Sequence, residues 1–311
     1  MEEGTGPNNF MASLYTQQDS NIAKTWILMI IFLIVLLGIG YFFSYYYQSP
    51  SILYFAFIFS LIMNIGSYWF SDKIVLGISR AKQVTKAEAP DLYNVVENLS
   101  ITAGLPMPKI YIINDPAPNA FATGRNKDHA AVAVTSGLLQ MMNKTELEGV
   151  IAHELSHIGN RDILLSTVVV VLVGLITLLS DFFLRLSFFG GNRSRDREGG
   201  GAILALIGVV LAILTPIIAT LLQLAISRRR ESLADTSGAL LTRYPEGLAS
   251  ALEKIAAYKV PMKHANNATA HLYISNPFGP DSRRLSGISR LFMTHPPIEE
   301  RIAALRQSEQ S

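Results

Sequence analysis

Four long runs without a charged side chain constrain this chain most: Trp26–Phe43, Ile52–Phe70, Ile163–Ser180 and Ala202–Ile226. Each holds between 18 and 25 residues. A helix needs roughly 20 apolar residues to cross a hydrocarbon core of about 30 Å. The first, second and fourth runs are long enough, and the third is borderline, with Asp181 and Arg185 close behind it. A buried helix of a soluble domain is the competing reading for the last two, but uncharged runs of this length are rare there. Pro216, inside the fourth run, is better tolerated in a membrane helix than in a soluble one. With 16% charged residues and a mean hydropathy of +0.30, the chain reads as partly membrane-embedded and partly soluble.

Residues 1–25 form a polar tail carrying Glu2, Glu3 and Asp19. It lacks the basic start and small-residue cleavage site of a signal peptide, so the first run is expected to be kept. Lys73, Arg80, Lys82 and Lys86 follow the second run, and Arg228, Arg229 and Arg230 follow the fourth. The excess of Lys and Arg places residues 71–162 and 227–311 in the cytoplasm. Arg193, Arg195 and Arg197 in the loop 187–201 pull against that orientation. The arginine triplet itself reads as an anchor at the membrane interface, near anionic lipid.

The soluble stretches predict a small α+β domain split by a membrane hairpin. Leu92, Val95, Val96 and Leu99 give helical spacing over residues 90–103, with Gly104 to end it. Residues 109–113, 119–123 and 130–134 read as short strands between turns. Thr145 and Glu148 form a capping-box pattern that opens a helix running through Ile158. Further helices are expected over residues 227–241, 245–258 and 296–306.

The chain has no cysteine, which excludes disulfides, thiolate metal sites and a thiol nucleophile. A net charge of +2 without a basic patch excludes a nucleic-acid partner. A metal must therefore be held by His, Asp and Glu. His153-Glu154-Leu155-Ser156-His157 supplies two imidazoles at i and i+4, one helix face, where they can converge on a single ion. Zinc takes imidazole nitrogen at about 2.0–2.1 Å in tetrahedral geometry. A catalytic zinc keeps one position for water and brings its pKa towards ~7. Glu154, one residue past the first ligand, is placed to act as general base.

A third ligand is required. Glu231 in Arg230-Glu231-Ser232-Leu233-Ala234-Asp235 is the best candidate, with Asp235 one turn on to accept the free N–H of a ligating imidazole. The same pattern is equally that of a solvated charged helix face. Two apolar runs separate Glu231 from His153, so both lie on one membrane side if both runs span, or if neither does. Asn119, Ala120, Phe121 and Ala122 form either a strand that pairs with substrate backbone or an ordinary internal strand. His295 either donates to a developing oxyanion or caps the helix that follows it. Arg301 reads as an ion-pair partner, and His129, His264 and His271 read as surface residues.

These residues resemble the HtpX family of membrane metalloproteases, relatives of the CAAX prenyl proteases and of the mitochondrial protease Oma. The resemblance runs from the two N-terminal spans through residues 119–124, 148–162 with HELSH, a second apolar pair, residues 227–235 and Thr294-His295-Pro296-Pro297. It implies a zincin-like (gluzincin) domain with one Zn2+ per chain, held by His153, His157 and Glu231, with Glu154 catalytic. It implies an endopeptidase acting on misfolded or damaged membrane proteins at the bacterial inner membrane. The organisation expected is a polar tail (1–25), a first transmembrane hairpin (26–70), a first catalytic segment with the HELSH helix (71–162), a second transmembrane hairpin (163–226) and a second catalytic segment with the third ligand (227–311). A CAAX-prenyl-protease-like peptidase normally needs more spans than this chain offers. A protease with one dedicated substrate remains open, and the intact Glu154 argues against a non-catalytic scaffold or holdase.

Overall fold

The first two apolar runs become the bodies of a helical hairpin, α1 (Pro7–Tyr46) and α2 (Pro50–Ile78), in a computed structural model that describes residues 7–172, 174–175, 228–266, 268–279 and 296–309. Pro50 opens α2, where its missing N–H costs nothing. Both helices are long and apolar enough to cross a membrane. Their polarity is inverted relative to a soluble fold. Ile30, Ile34, Phe55 and Ile62 point outward at 53%, 61%, 69% and 59% exposure, while Ser60, Asn64, Ser67 and Ser71 are buried along one stripe of α2. Small polar residues facing inward suit helices whose surroundings are as apolar as their own side chains. The helix of α1 begins well before the apolar run, so at least residues 7–25 of the expected tail are helical.

Beyond α2 lies a four-stranded sheet of order β1-β2-β4-β3, built from β1 (Lys82–Gln83), β2 (Lys109–Ile113), β3 (Ala120–Gly124) and β4 (Ala130–Thr135). β2 and β4 are parallel, and the other pairs are antiparallel. Every residue of β3 and β4 is buried, because helices cover both faces. The alternation of side chains along β4 separates two cores. Val132 and Val134 meet α3 (Pro90–Thr102) and α5 (Lys144–Gly159), while Ala131 and Ala133 meet Val75 and Leu76 from the end of α2 together with Phe121 and Tyr273. The membrane hairpin is thus continuous with the core of the soluble domain.

A short helix, α4 (Ser136–Met141), leads to α5. The cap of α5 differs from the expected one. Asn143, not Thr145, accepts from the Glu146 N–H at 2.9 Å, and Glu146 returns a bond to the Asn143 N–H at 2.8 Å. Thr145 instead donates to the Asn143 side chain at 2.8 Å. Two overlapping box patterns competed, and the one starting two residues earlier won because Glu146 also binds Lys254 and Ser250 on a neighbouring helix. After α5 the chain bends by 85° at Asn160–Arg161 into α6 (Asp162–Leu172), the start of the third apolar run. The remainder of that run, the loop 187–201 and the fourth run lie outside the described residues, so the four-span expectation is matched only by its first two members and this beginning.

Three more helices complete the soluble domain: α7 (Arg228–Thr242), α8 (Pro245–Ala257) and α9 (Ile298–Glu309). The first two pack on α5 and the third packs on them, and Leu248, Leu252, Ile274 and Leu305 join the same core as Leu92 and Val150. Residues from 92–163 and from 239–305 therefore share one core. The fold is mainly helical α+β.

Candidate metal centre

The one-turn spacing on α5 brings His153 Nε2 within 3.2 Å of His157 Nε2. Glu231, in the first turn of α7, closes the triangle, with Oε2 at 3.8 Å from His153 Nε2 and Oε1 at 3.7 Å from His157 Nε2. These three groups can hold a metal ion. A tetrahedral site with bonds of 2.0–2.1 Å has donor–donor edges of about 3.3 Å, which the observed separations bracket. Close approach of two helices makes this possible. A Cβ on Gly238 would sit 3.0 Å from His153 N and 3.1 Å from His153 Cα, tighter than ordinary contact, so glycine there eases the close approach of α7 to α5.

Both imidazoles are oriented from behind. His153 Nδ1 lies 2.9 Å from Asp235 Oδ1, and His157 Nδ1 lies 3.1 Å from Asp162 Oδ2. A carboxylate only accepts, so each Nδ1 carries the proton and each Nε2 presents a lone pair. Two lone pairs facing at 3.2 Å repel unless a proton or a cation lies between them. Asp235 is itself gripped by Arg301 of α9, whose Nε and Nη2 donate to its two oxygens at 2.8 and 2.7 Å. Arg301 Nη1 also donates to the Ile274 carbonyl at 3.1 Å. Burial works to raise the Asp235 carboxyl, but Arg301 and His153 outweigh it and hold it at about 2.

The two histidines titrate in opposite directions. Burial pulls His153 down to about 4, against the pull of Asp235. Burial works the same way on His157, but the bond to Asp162 and the charges of Glu231, Asp162 and Glu154 overcome it and lift that ring to about 9. Glu154 is 1% exposed, and its oxygens make no well-formed hydrogen bond among the described residues, the Ala122 backbone being a weak partner. Burial pushes its carboxyl up to about 7, with His157 opposing and Glu231 adding to the rise. A buried carboxylate so weakly satisfied is costly, and such groups are kept for a task.

The remaining expected residues are sorted by the fold. Ala122 lines the site, but Asn119 and Ala120 do not offer a free edge. The Ala120 carbonyl accepts from Ile274 N at 2.9 Å, and Asn119 binds Ser275 through its side chain. Phe121 turns away and packs edge-on against Tyr273 with ring centroids 5.1 Å apart. The chain's own 273–275 segment thus takes the stretch of the β3 edge read as open to substrate. His295 lies outside the described residues.

Three residues that the sequence reading did not assign to the site belong to it. His271 is buried and lines it, whereas His129 and His264 are at the surface as expected. Arg230 is no interface anchor: it is 3% exposed, lines the site and lies 3.6 Å from Asp162. Asp162 had no assigned role and holds a candidate ligand in place. No local signal marks His271, which sits in a single 3-10 turn. Asp162 was detectable as a lone acid just past the end of the HELSH helix.

Residues 86–309 match Peptidase family M48. A protein named Protease HtpX homolog from Caldanaerobacter subterraneus subsp. tengcongensis is 49% identical over 299 residues, covering 94% of this chain and 97% of the relative. Proteins of the same name from Dictyoglomus turgidum and Thermococcus kodakarensis are each 49% identical, covering 94% and 91% of this chain and 94% of either relative. The crystal structure of S. mikatae Ste24p aligns at 19% identity with a TM-score of 0.48, over 94% of this chain and 67% of that one. With the match spanning every helix that carries a candidate ligand, the chain belongs to peptidase family M48, beside the HtpX homologues.

Proposed function

We propose that this chain is a membrane-embedded zinc metalloendopeptidase in which His153, His157 and Glu231 hold one Zn2+ and Glu154 is the general base. The observation that carries the proposal is the triangle of donor atoms with edges of 3.2, 3.7 and 3.8 Å, backed by carboxylates on both imidazoles. Two nitrogens and one carboxylate are a donor set that zinc uses in peptidases. Zinc held there supplies Lewis acidity, polarising the scissile carbonyl and easing ionisation of the attacking water.

The chain's own residues do the rest. Glu154 accepts the proton of the attacking water and delivers it to the leaving amine, a task suited to a carboxyl held near neutrality. Asp235 and Asp162 keep the two imidazoles in the ligating tautomer. Arg301 keeps Asp235 ionised and fixed. Ala122 remains the point on β3 where substrate backbone can approach the site.

The finer reading is a multi-pass protein of the bacterial inner membrane with four spans and a cytoplasmic catalytic domain divided by the second hairpin. Its substrates are unfolded or damaged membrane proteins. Proximity supports this: Asn21, bonded to Asp162, precedes the apolar run of α1 by five residues, about 8 Å along the helix. Segments emerging from the bilayer are then the nearest substrates.

Metal content and casein cleavage of the purified wild type and Glu154→Gln test the core of the proposal. One zinc per chain in both, with cleavage only in the wild type, is expected. A wild type that binds no metal and cleaves nothing in zinc-supplemented buffer sinks it.

A further inference from the structure

We propose that Asn21, on the first membrane helix, is a positioning residue for the metal ligand His157, acting through Asp162. The inference builds on the proposed zinc site and adds a membrane helix to its machinery. Asn21 is 2% exposed, and its Nδ2 donates to Asp162 Oδ1 at 2.5 Å. The other oxygen of the same carboxylate, Oδ2, takes the proton of His157 Nδ1 at 3.1 Å. Asp162 therefore has one oxygen on the metal ligand and one on α1, and the two contacts together fix the rotation of its carboxylate plane.

The location of Asp162 explains why such a brace is needed. It is the first residue of α6, immediately after the 85° bend and after Arg161, which has a positive φ of 57°. Nothing in the ladder of α5 determines where its side chain points, although His157 on α5 depends on it. Arg230, with Nη1 at 3.6 Å from Oδ1, supplies a counter-charge but lies beyond hydrogen-bonding distance. Among the described residues, Asn21 is the group that holds Oδ1 by a hydrogen bond. Apolar packing keeps α1 beside α6, since Met29, Phe32 and Leu36 share one core cluster with Val168 and Leu172. A shift or rotation of α1 in the bilayer is thereby transmitted to His157.

Groups that orient a ligating imidazole typically contribute 10- to 100-fold to metal affinity. Asn21 acts one bond further out, so Asn21→Ala should raise the zinc dissociation constant of the full chain in detergent by up to about 10-fold, read by competition with a chromogenic chelator. At saturating zinc, kcat for casein should fall with KM little changed. Thr25→Ala is the control on the same helix: its hydroxyl only caps the Asn21 carbonyl at 2.9 Å, and the variant should bind zinc as wild type does. The decisive measurement is a double-mutant cycle: Asn21→Ala should add little in an Asp162→Ala background. Wild-type zinc affinity in Asn21→Ala overturns the proposal. So does an equal loss in Thr25→Ala, which would mark a structural role of α1, or full additivity with Asp162→Ala. A wild type that binds no zinc at all would remove the site itself, a distinct result.

Discussion

Loading the site with zinc must displace protons, and the structure says how many. His157 is held up to about 9, so without metal it is almost fully protonated at pH 7. His153, at about 4, is already neutral there. Zinc requires the neutral imidazole, so one proton leaves His157 for every zinc taken up at pH 7. Glu154, at about 7, is half-protonated at that pH and loses the remainder once a dication lies nearby. Uptake at pH 7 should therefore release about 1.5 protons from the side chains, with up to about half a proton more from the zinc-bound water. Displacing the His157 proton should by itself lower the apparent dissociation constant about tenfold per pH unit between 7 and 9 and no further above 9. The stability of the metal-free protein follows the same group with the opposite consequence. A raised His157 pKa stabilises the fold fully below its ordinary value of 6.5, and that contribution is lost as pH rises through about 9. Calorimetric zinc titration in buffers of different ionisation enthalpy counts the protons directly. In Glu154→Gln the count at pH 7 should drop by about half a proton while the slope between pH 7 and 9 persists. An affinity flat from pH 6.5 to 9 refutes the reasoning, because it means that His157 holds no proton for zinc to displace.

Other expectations follow from single contacts. Arg301→Met leaves Asp235 buried without its main counter-charge, a loss of about 3–5 kcal/mol for a broken buried pair, and should lower the thermal midpoint in detergent together with zinc affinity. Asn143→Ala should cost about 1 kcal/mol through loss of the α5 cap, whereas Thr145→Ala should cost less; thermal melts of both variants separate the two capping patterns. Gly238→Val places methyl groups against the His153 backbone, so α7 must move off α5 and zinc content after dialysis should fall well below one per chain, while far-UV circular dichroism stays near that of the wild type.

Much of this protein is legible wherever the signal is local. Helical spacing of Leu147, Val150, Ile151 and Leu155 places α5, and two histidines four apart on it must share a face. Uncharged runs of 18 and 19 residues admit few soluble alternatives, and β-branched and apolar clusters between turns mark β2 and β4 within a residue of their ends. Those features depend on a few neighbouring residues, and so does the sequence pattern that reports them.

What tertiary structure alone decides is which distant groups meet. Glu231 is 78 residues from His153, and whether it is a ligand or a solvated charge rests on the close approach of α7 to α5, which Gly238 eases. Arg230 follows an apolar run in the manner of an interface anchor, but packing buries it beside Asp162. His271 has no periodicity to betray it, and the 273–275 segment closes a stretch of strand edge that looks open in sequence. Asn21 is one polar residue in a polar stretch until α1 is laid along α6. Hydrogen bonds and ion pairs between such positions leave no trace in local composition, because their energy depends on burial and distance, and both are set only when the helices pack.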